Sequence, residues 1–281
     1  GGLECWLEYD TSLFNKNQIV DISQGLNRII DAIIEDPDIL VEELNPMAVK
    51  PEKPSCYIIG EGSTLNFCTE HLIKCNWDIQ GIISADPETV EWALKNNLNC
   101  IAPGKHLEKT ILNKPFDFLF SINNGYIIPE KILDHPTLGC INYHNSLLPR
   151  NAGLFASHHV ILEGDNTHGV TWHYMAKEID AGDILIQKEF PVSENDMTSN
   201  LDLKSFEVAV SSFQELISGL QDASLKPKKQ DLSKRTYHGK YERPDNACIL
   251  PFDQIAEKVF ALYMSLTFKD RIPNELGTPK I

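Results

Sequence analysis

The hydrophobic positions of this chain follow two alternating periods from residue 55 onwards. Short apolar runs of strand length are separated by stretches with apolar residues at helical spacing, such as 64–75 and 86–96. The apolar runs lie at residues 55–60, 77–84, 100–101, 116–122 and 140–144. Such β-α-β alternation favours parallel strands with helices on both faces of the sheet. We therefore predict an α/β fold with a Rossmann-like parallel sheet, a short N-terminal α/β appendage and a truncated C-terminal subdomain.

The flanks of this alternating region divide the chain into three predicted parts. Residues 1–50 contain one helical pattern, at 18–35, and then a linker with Pro46, Pro51 and Pro54 nearby. Residues 55–222 form the predicted catalytic domain, which includes two later strands at 169–175 and 184–190 and a long amphipathic helix at 201–220. Residues 223–281 form a basic linker and a partial C-terminal subdomain, whose helix we place at 252–266.

Composition narrows the class of protein. The chain has 281 residues, of which 42% are hydrophobic and 23% charged, and its net charge of −15 argues against a nucleic-acid partner. No run approaches the roughly 18 apolar residues of a membrane span, and the start has no signal peptide, so we expect a cytoplasmic protein without a membrane partner. Because no Met begins the chain, we suspect a piece of a longer polypeptide. The seven cysteines form no C-x-x-C pair, which favours reduced core thiols.

One segment departs from this acidic average. Residues 226–243 carry seven basic side chains interrupted by two tyrosines. We interpret the segment as a solvated linker; the alternative is a landing surface for an acidic partner protein or a phosphate group.

Three side chains carry the candidate chemistry. Asn142 and His144 are two residues apart in a predicted strand, so both point to one face, at the carboxyl end of the sheet where ligands gather. Asp180 follows the strand at 169–175 and a short loop. Acyl transfer to an amine needs a hydrogen-bond donor to the oxyanion, a group that carries a proton, and a group that orients the proton carrier. The amide of Asn142, the imidazole of His144 and the carboxylate of Asp180 can fill these three roles in that order.

At these residues the sequence resembles the folate-dependent formyltransferases. Asn-Tyr-His-Asn-Ser-Leu-Leu-Pro at 142–149 and Asp-Ala-Gly-Asp at 180–183 match both halves of that family's signature, in order and with familiar spacing. The likeness extends over roughly 55–220. It implies the formyltransferase fold, 10-formyltetrahydrofolate as formyl donor, and a catalytic triad of Asn142, His144 and Asp180.

The resemblance also implies where the donor and the acceptor bind. Two segments would hold the pterin through main-chain groups. His173 occupies a position at which some relatives have a histidine that lines the site, so it is a candidate for substrate binding. A strand histidine that is hydrogen-bonded to a neighbour fits its position equally well. The implied donor-binding residues are Asn124, Gly125, Tyr126, Ile127, Ile128, Ala176, Lys177, Glu178 and Ile179. No H-x-x-x-H or H-E-x-x-H pattern exists, so we predict no catalytic metal. We place His106, His135, His158, His159 and His168 at the surface or at helix caps.

The segments on either side of the predicted catalytic domain indicate in which kind of larger protein it would act. Residues 7–14 and 35–37 resemble the tail of a condensation domain from a nonribosomal peptide synthetase, and 252–281 resembles the beginning of the C-terminal subdomain of methionyl-tRNA formyltransferase. This implies a tailoring domain that formylates an aminoacyl group on the phosphopantetheine arm of a carrier domain, beside other synthetase domains. The alternatives are an amino sugar, a free amine or methionyl-tRNA as acceptor, or a non-catalytic docking module.

Overall fold

The structure is a computed structural model that describes residues 53–244, 248–267 and 276–280, with eight more residues between Ile19 and Ile34. The chain divides into two compact units, 1–52 and 53–281. In the first unit the eight described residues are helical, as the pattern at 18–35 predicts. The condensation-like segments at 7–14 and 35–37, and most of the linker, lie outside the described residues.

The second unit is built on β-strands whose ranges are β1 Ser55–Gly60, β2 Asp78–Ile83, β3 Cys100–Ile101, β4 Phe118–Ile122, β5 Gly139–His144, β6 Ala152–Gly153, β7 Thr167–Tyr174, β8 Ile184–Pro191 and β9 Tyr237–His238. Seven of these strands form one sheet in the order β3-β2-β1-β4-β5-β7-β8. The first five strands in this order run parallel, whereas β7 is antiparallel to both β5 and β8. The predicted α/β class and Rossmann-like sheet are therefore confirmed.

Helices cover both faces of this sheet. The helices are α1 Gly62–Lys74, α2 Pro87–Lys95, α3 Leu107–Ile111, α4 Glu130–Leu133, α5 Ala156–Glu163, α6 Thr198–Gln221 and α7 Ala256–Leu266. The short helices α3 and α4 had no clear pattern in the sequence, because four or five residues complete barely one helical turn.

Alternation along the strands divides the core into two layers. In β1, Ile58 packs in the layer that contains Phe120, Trp172 and Phe213, whereas Ile59 packs in the opposite layer with Phe116 and Leu119. A strand buried on both faces reads as a continuous apolar run, which is why β1 and β4 were visible in the sequence. Burial of each such side chain contributes about 1.5–3 kcal/mol to the stability of the fold. This double layer therefore fixes the strands that carry the site.

The strand-to-helix turn after β1 is tight. Gly60 has a φ of +138°, and a Cβ there would lie 1.7 Å from the carbonyl oxygen of Ile122. Only glycine allows this close approach of β1 to β4.

The segment after α6 contacts the sheet. Lys228 forms a bridge with Ile184, and β9 pairs in parallel with β6. Helix α7 packs against α5 and α6. Main-chain pairing therefore attaches the segment at residues 228 and 237–238, while most side chains of 226–243 are exposed, as expected for a solvated segment. The domain boundaries at 50–55 and 222–223 stay predictions.

Two smaller expectations can be compared with the described residues. The six described cysteines are free thiols, and Cys56, Cys68, Cys140 and Cys248 are buried. In the part of the chain that the structure describes, no helix combines the length and the apolar character needed to cross a bilayer.

Candidate active site

Strand β5 presents two of the three predicted catalytic side chains. Asn142 and His144 lie on the same face of the strand, and the antiparallel register with β7 sets Asn142 opposite His173. His144 is buried, with 8% of its surface exposed, and His173 is buried more completely, at 1%. The pairing of β5 with β7 thus brings a second imidazole to the face that carries the predicted pair.

The third side chain comes from the loop between β7 and β8. Asp180 has a φ of +54°, in the left-handed region that Asp adopts more readily than most residues. The Nε2 of Gln230 donates to the carbonyls of Asp180 at 2.8 Å and of Gly182 at 2.7 Å. A Cβ on Gly182 would lie 1.9 Å from the carbonyl oxygen of Tyr174, so the loop requires glycine there. These contacts hold the Asp180 backbone over the end of β5.

The three predicted catalytic side chains meet. His144 Nδ1 lies 3.5 Å from Asp180 Oδ2, and Asn142 Nδ2 lies 3.5 Å from Asp180 Oδ1. The Asp180 carboxylate also accepts a hydrogen bond from the main-chain N–H of Gly153 at 2.8 Å. The carboxylate is therefore the centre of the cluster, and its two oxygens face different partners.

A main-chain carbonyl fixes the orientation of His144. Its Nε2 lies 2.8 Å from the carbonyl oxygen of Asn151, which can only accept, so we assign the ring hydrogen of neutral His144 to Nε2. Nδ1 then faces Asp180 with its lone pair and is the nitrogen that can take a proton. Burial lowers the pKa of His144, although Asp180 and the Asn151 carbonyl act in the opposite direction.

Asp180 is an ionised carboxylate in this setting. Burial opposes its ionisation, but the neighbouring His173 and His144 side chains and the Gly153 N–H outweigh that effect and lower its pKa to about 2. At neutral pH Asp180 is thus an acceptor and a negative charge beside His144, which stabilises an imidazolium there.

His173 contacts two residues of the triad, Asn142 and Asp180. Its Nδ1 lies 2.8 Å from the Tyr174 carbonyl, which assigns the ring hydrogen of the neutral form to Nδ1. Its Nε2 lies 3.2 Å from Asn142 Nδ2 and 3.5 Å from Asp180 Oδ1. With 1% of its surface exposed, His173 contacts Asn142 and Asp180 rather than solvent; its predicted role in substrate binding stays a prediction.

The two predicted donor-binding segments follow strands β4 and β7. The side chain of Asn124 bonds both the N–H and the carbonyl of Tyr126, so it folds its own loop. Gly125 is exposed, with open space around its Cβ position, and Ile127 is 78% exposed while Ile128 is buried. The other segment is exposed throughout, at Ala176, Lys177, Glu178 and Ile179. Lys177 pairs with Glu130 at 3.3 Å, and this contact joins the two segments.

Several histidines are placed differently from the expectation. His158, His159 and His168 are buried rather than at the surface, because α5 lies under α7 and against β7. His106 is exposed, as expected.

A further group of ligating side chains forms away from the triad. Ligand atoms of His159, His238 and Glu242 lie within 4.8 Å of one another, which is compatible with a metal ion by distance. The two imidazole planes, however, are stacked 3.4 Å apart and 9° from parallel, so their in-plane lone pairs do not converge on one point. The expectation of no catalytic metal stays a prediction.

Three contributors to the site were missed in the sequence. They are the Asn151 carbonyl, the Gly153 N–H and Gln230. Gly153 alone had a signal, a glycine four residues after the end of the signature at 142–149. The others act through main-chain groups or from the segment after α6, and no motif marks such contacts.

Residues 105–217 match the family model described as formyl transferase. Methionyl-tRNA formyltransferase of Bacillus licheniformis is 35% identical over 159 residues, which are 55% of this chain and 50% of that protein. Methionyl-tRNA formyltransferase of Bacillus subtilis is 31% identical over 206 residues, 67% of this chain and 64% of that protein. The chain thus spans about half to two thirds of the length of these relatives.

Among solved structures, the sugar 3N-formyl transferase WlaRD, crystallised with dTDP and 5-N-formyl-THF, superposes with a TM-score of 0.66. The match covers 82% of this chain and 84% of that one at 21% identity, which establishes the fold. Residues 105–217 therefore resemble the formyl transferase family, and the chain has the fold that this solved formyltransferase shows.

Proposed function

We propose that this chain transfers a formyl group from a folate-type donor, 10-formyltetrahydrofolate, to a primary amine. The observation that carries the proposal is the convergence of Asn142, His144 and Asp180, with His144 Nδ1 3.5 Å from the Asp180 carboxylate. The family match at 105–217 supports the same chemistry, and so do the names of the relatives.

The donor supplies the formyl group and would be held by the residues around 124–128 and 176–179. Exposed backbone, open space at Gly125 and the exposed Ile127 suit a flat heterocycle held by main-chain groups. The Tyr126 N–H and carbonyl are already bonded to Asn124, so the neighbouring residues would make those contacts.

Each triad residue has a distinct task in the reaction. The new N–C bond forms as the amine attacks the formyl carbon, the bond from that carbon to the donor nitrogen breaks, and one proton moves from the amine to the donor nitrogen. His144 takes that proton at Nδ1, since Nε2–H is bound to the Asn151 carbonyl. Asp180 stabilises the resulting imidazolium.

Asn142 is suited to the developing oxyanion. One of its amide N–H groups points to His173 Nε2 at 3.2 Å, and the other lies 3.5 Å from Asp180, at the long end of hydrogen bonds. The second N–H is therefore the one that is available to a reacting oxygen. A donor of this kind typically contributes about 3 kcal/mol to the transition state.

The acceptor is a separate proposal. The names of the relatives favour methionyl-tRNA or an amino sugar over an aminoacyl group on a carrier domain. The net charge of −15 weighs against tRNA, because phosphate neutralisation dominates that affinity. The carrier-bound acceptor, with neighbouring synthetase domains as partners, depends on the sequence resemblance at 7–14 and 35–37.

Mass spectrometry of three acceptors tests both proposals. The purified chain is incubated with 10-formyltetrahydrofolate and, separately, with methionyl-tRNA, a nucleotide-linked amino sugar and an aminoacyl-loaded carrier domain. We expect one acceptor to gain the mass of one formyl group, and the His144→Ala protein to give none above background. If no acceptor is formylated and calorimetry detects no binding of the folate donor, the chain is a docking module rather than an enzyme.

A further inference from the structure

The loop that orients the triad is held by a segment distant in sequence. Residues 151–153 supply the carbonyl that binds His144 and the N–H that binds Asp180. Residues 236–238, which include β9, pair with residues 152–154. The Ala152 N–H donates to the Thr236 carbonyl at 3.0 Å, and the Leu154 N–H donates to the His238 carbonyl at 2.9 Å. Gly153 packs so closely that a Cβ there would lie 2.2 Å from the His238 carbonyl oxygen.

The Asn151 side chain is the second point of attachment. Its Oδ1 lies 3.1 Å from His238 Nε2 and 3.3 Å from Thr236 Oγ1, and its main-chain N–H donates to the same hydroxyl at 2.8 Å. Asn151 is 3% exposed and has a φ of +53°, in the left-handed region. Without side-chain partners, this backbone conformation would cost more and the carbonyl that faces His144 would be free to turn.

His238 is itself fixed from three directions. Its Nδ1 lies 3.0 Å from Glu242 Oε1, its Nε2 contacts Asn151, and its ring stacks on His159 at 3.4 Å. The side chain of His238 is 9% exposed while that of Glu242 is 41% exposed, so the chain of contacts runs from the protein surface to the triad.

We propose that His238 is a positioning residue for His144. Glu242 and His159 fix the ring of His238, which in turn fixes the side chain of Asn151. The Asn151 carbonyl then keeps Nδ1 of His144 directed at Asp180. The catalytic consequence rests on the proposed formyl transfer, but the positioning itself does not. His238 lies 21 residues beyond the matched family segment, which ends at 217.

The direct test is the hydrogen position on His144. Histidine-ring ¹⁵N spectra separate the Nε2–H from the Nδ1–H form, and His144→Ala identifies the signal of His144. We expect His144 as the single Nε2–H form in the unaltered protein and as a mixture of the two in His238→Ala. His238→Gln should restore the single form, because a glutamine amide N–H can reach Asn151 Oδ1 in place of Nε2.

Two further variants control this test. His106→Ala removes an exposed histidine and should leave the His144 signal unchanged. If His238→Ala does not fold, Glu242→Gln keeps the volume around the His238 ring filled and weakens only its Nδ1 contact; it should shift the His144 signal in the same direction by a smaller amount.

Kinetics measure the consequence for the reaction. We expect kcat of His238→Ala to fall about tenfold or more while the donor KM is unchanged, since a misplaced catalytic group can cost up to ~10²-fold. His238→Gln should recover most of the loss. A folded His238→Ala protein that keeps a single His144 Nε2–H form overturns the proposal. If formyl transfer is absent from the unaltered protein too, the kinetics report nothing on positioning and the ring spectra still decide it.

Discussion

Two clusters in this molecule contain the same three groups, two imidazoles and a carboxylate, in opposite arrangements. In the triad cluster, Asp180 lies between His144 and His173, and its side chain is 9% exposed. In the second cluster His159 and His238 stack face to face, and the carboxylate of Glu242 is 41% exposed at the rim. Composition alone therefore does not define a reactive site.

The position of the carboxylate decides what each cluster can do. The buried carboxylate of Asp180 has a pKa of about 2 and faces Nδ1 of His144. A rim carboxylate bonded to one ring of a stack fixes that ring, and the ring in turn fixes Asn151. The two clusters are joined through Asn151, whose carbonyl serves one and whose side chain serves the other.

The largest expected effect comes from removing the carboxylate or the imidazole of the triad. We expect Asp180→Asn and His144→Ala each to lower kcat by ~10²–10⁴, the usual contribution of a positioned acid or base. Asp180→Asn keeps an oxygen for the Gly153 N–H, so thermal unfolding should stay near that of the unaltered protein. A loss below about tenfold in either variant would contradict the assigned roles.

The link between the clusters can be measured by a double-mutant cycle. Asn151→Gly preserves the positive φ and deletes the side chain that contacts His238. We expect each of Asn151→Gly and His238→Ala to cost about tenfold in kcat, and the double variant to cost no more than either alone, because both remove the same contact. Fully additive losses would mean that the two residues act independently.

Acid should affect the second cluster through His159. Burial, then the nearby His238, lowers the pKa of His159 from 6.5 to about 4. Between pH 6.5 and pH 4, His159 binds a proton in the unfolded chain but not in the folded protein. The contribution of His159 to the free energy of unfolding is therefore fully present above about pH 6.5 and is lost as the pH falls toward 4. Allowing for solvent screening, we expect about 1 kcal/mol from this residue.

Urea unfolding at several pH values checks that expectation. His159→Gln should flatten the decline in unfolding free energy between pH 6.5 and 4 relative to the unaltered protein. His106→Ala is the matched exposed control and should leave the decline as it was. An unchanged slope in His159→Gln would exclude His159 as its source.

The smallest effect is expected at the exposed pair that joins the donor-binding segments. Lys177 and Glu130 are 87% and 66% exposed in their side chains. Lys177→Met should change the unfolding free energy by less than about 1 kcal/mol, as is usual for surface ion pairs, and should leave kcat unaltered. A large fall in kcat would show that this loop carries more of the chemistry than the triad geometry implies.

The sequence by itself determined the sheet and the identity of the triad candidates. Continuous apolar runs require strands buried on both faces, and the two-residue spacing of Asn142 and His144 requires a common face. The order of the signature then pointed to Asp180, which the structure brings within 3.5 Å of both. These features are local in the chain, so a pattern can record them.

Tertiary structure alone decided what holds the triad in place. The antiparallel register of β5 and β7 brings His173 to Asn142, Gln230 supports the Asp180 loop, and β9 closes on residues 152–153. The segment at 226–243 read as solvated because its basic side chains give no apolar period, yet its main chain and a few polar groups are bonded to the site. Main-chain hydrogen bonds across a fold leave no trace in side-chain pattern, since every residue except proline offers the same donor and acceptor.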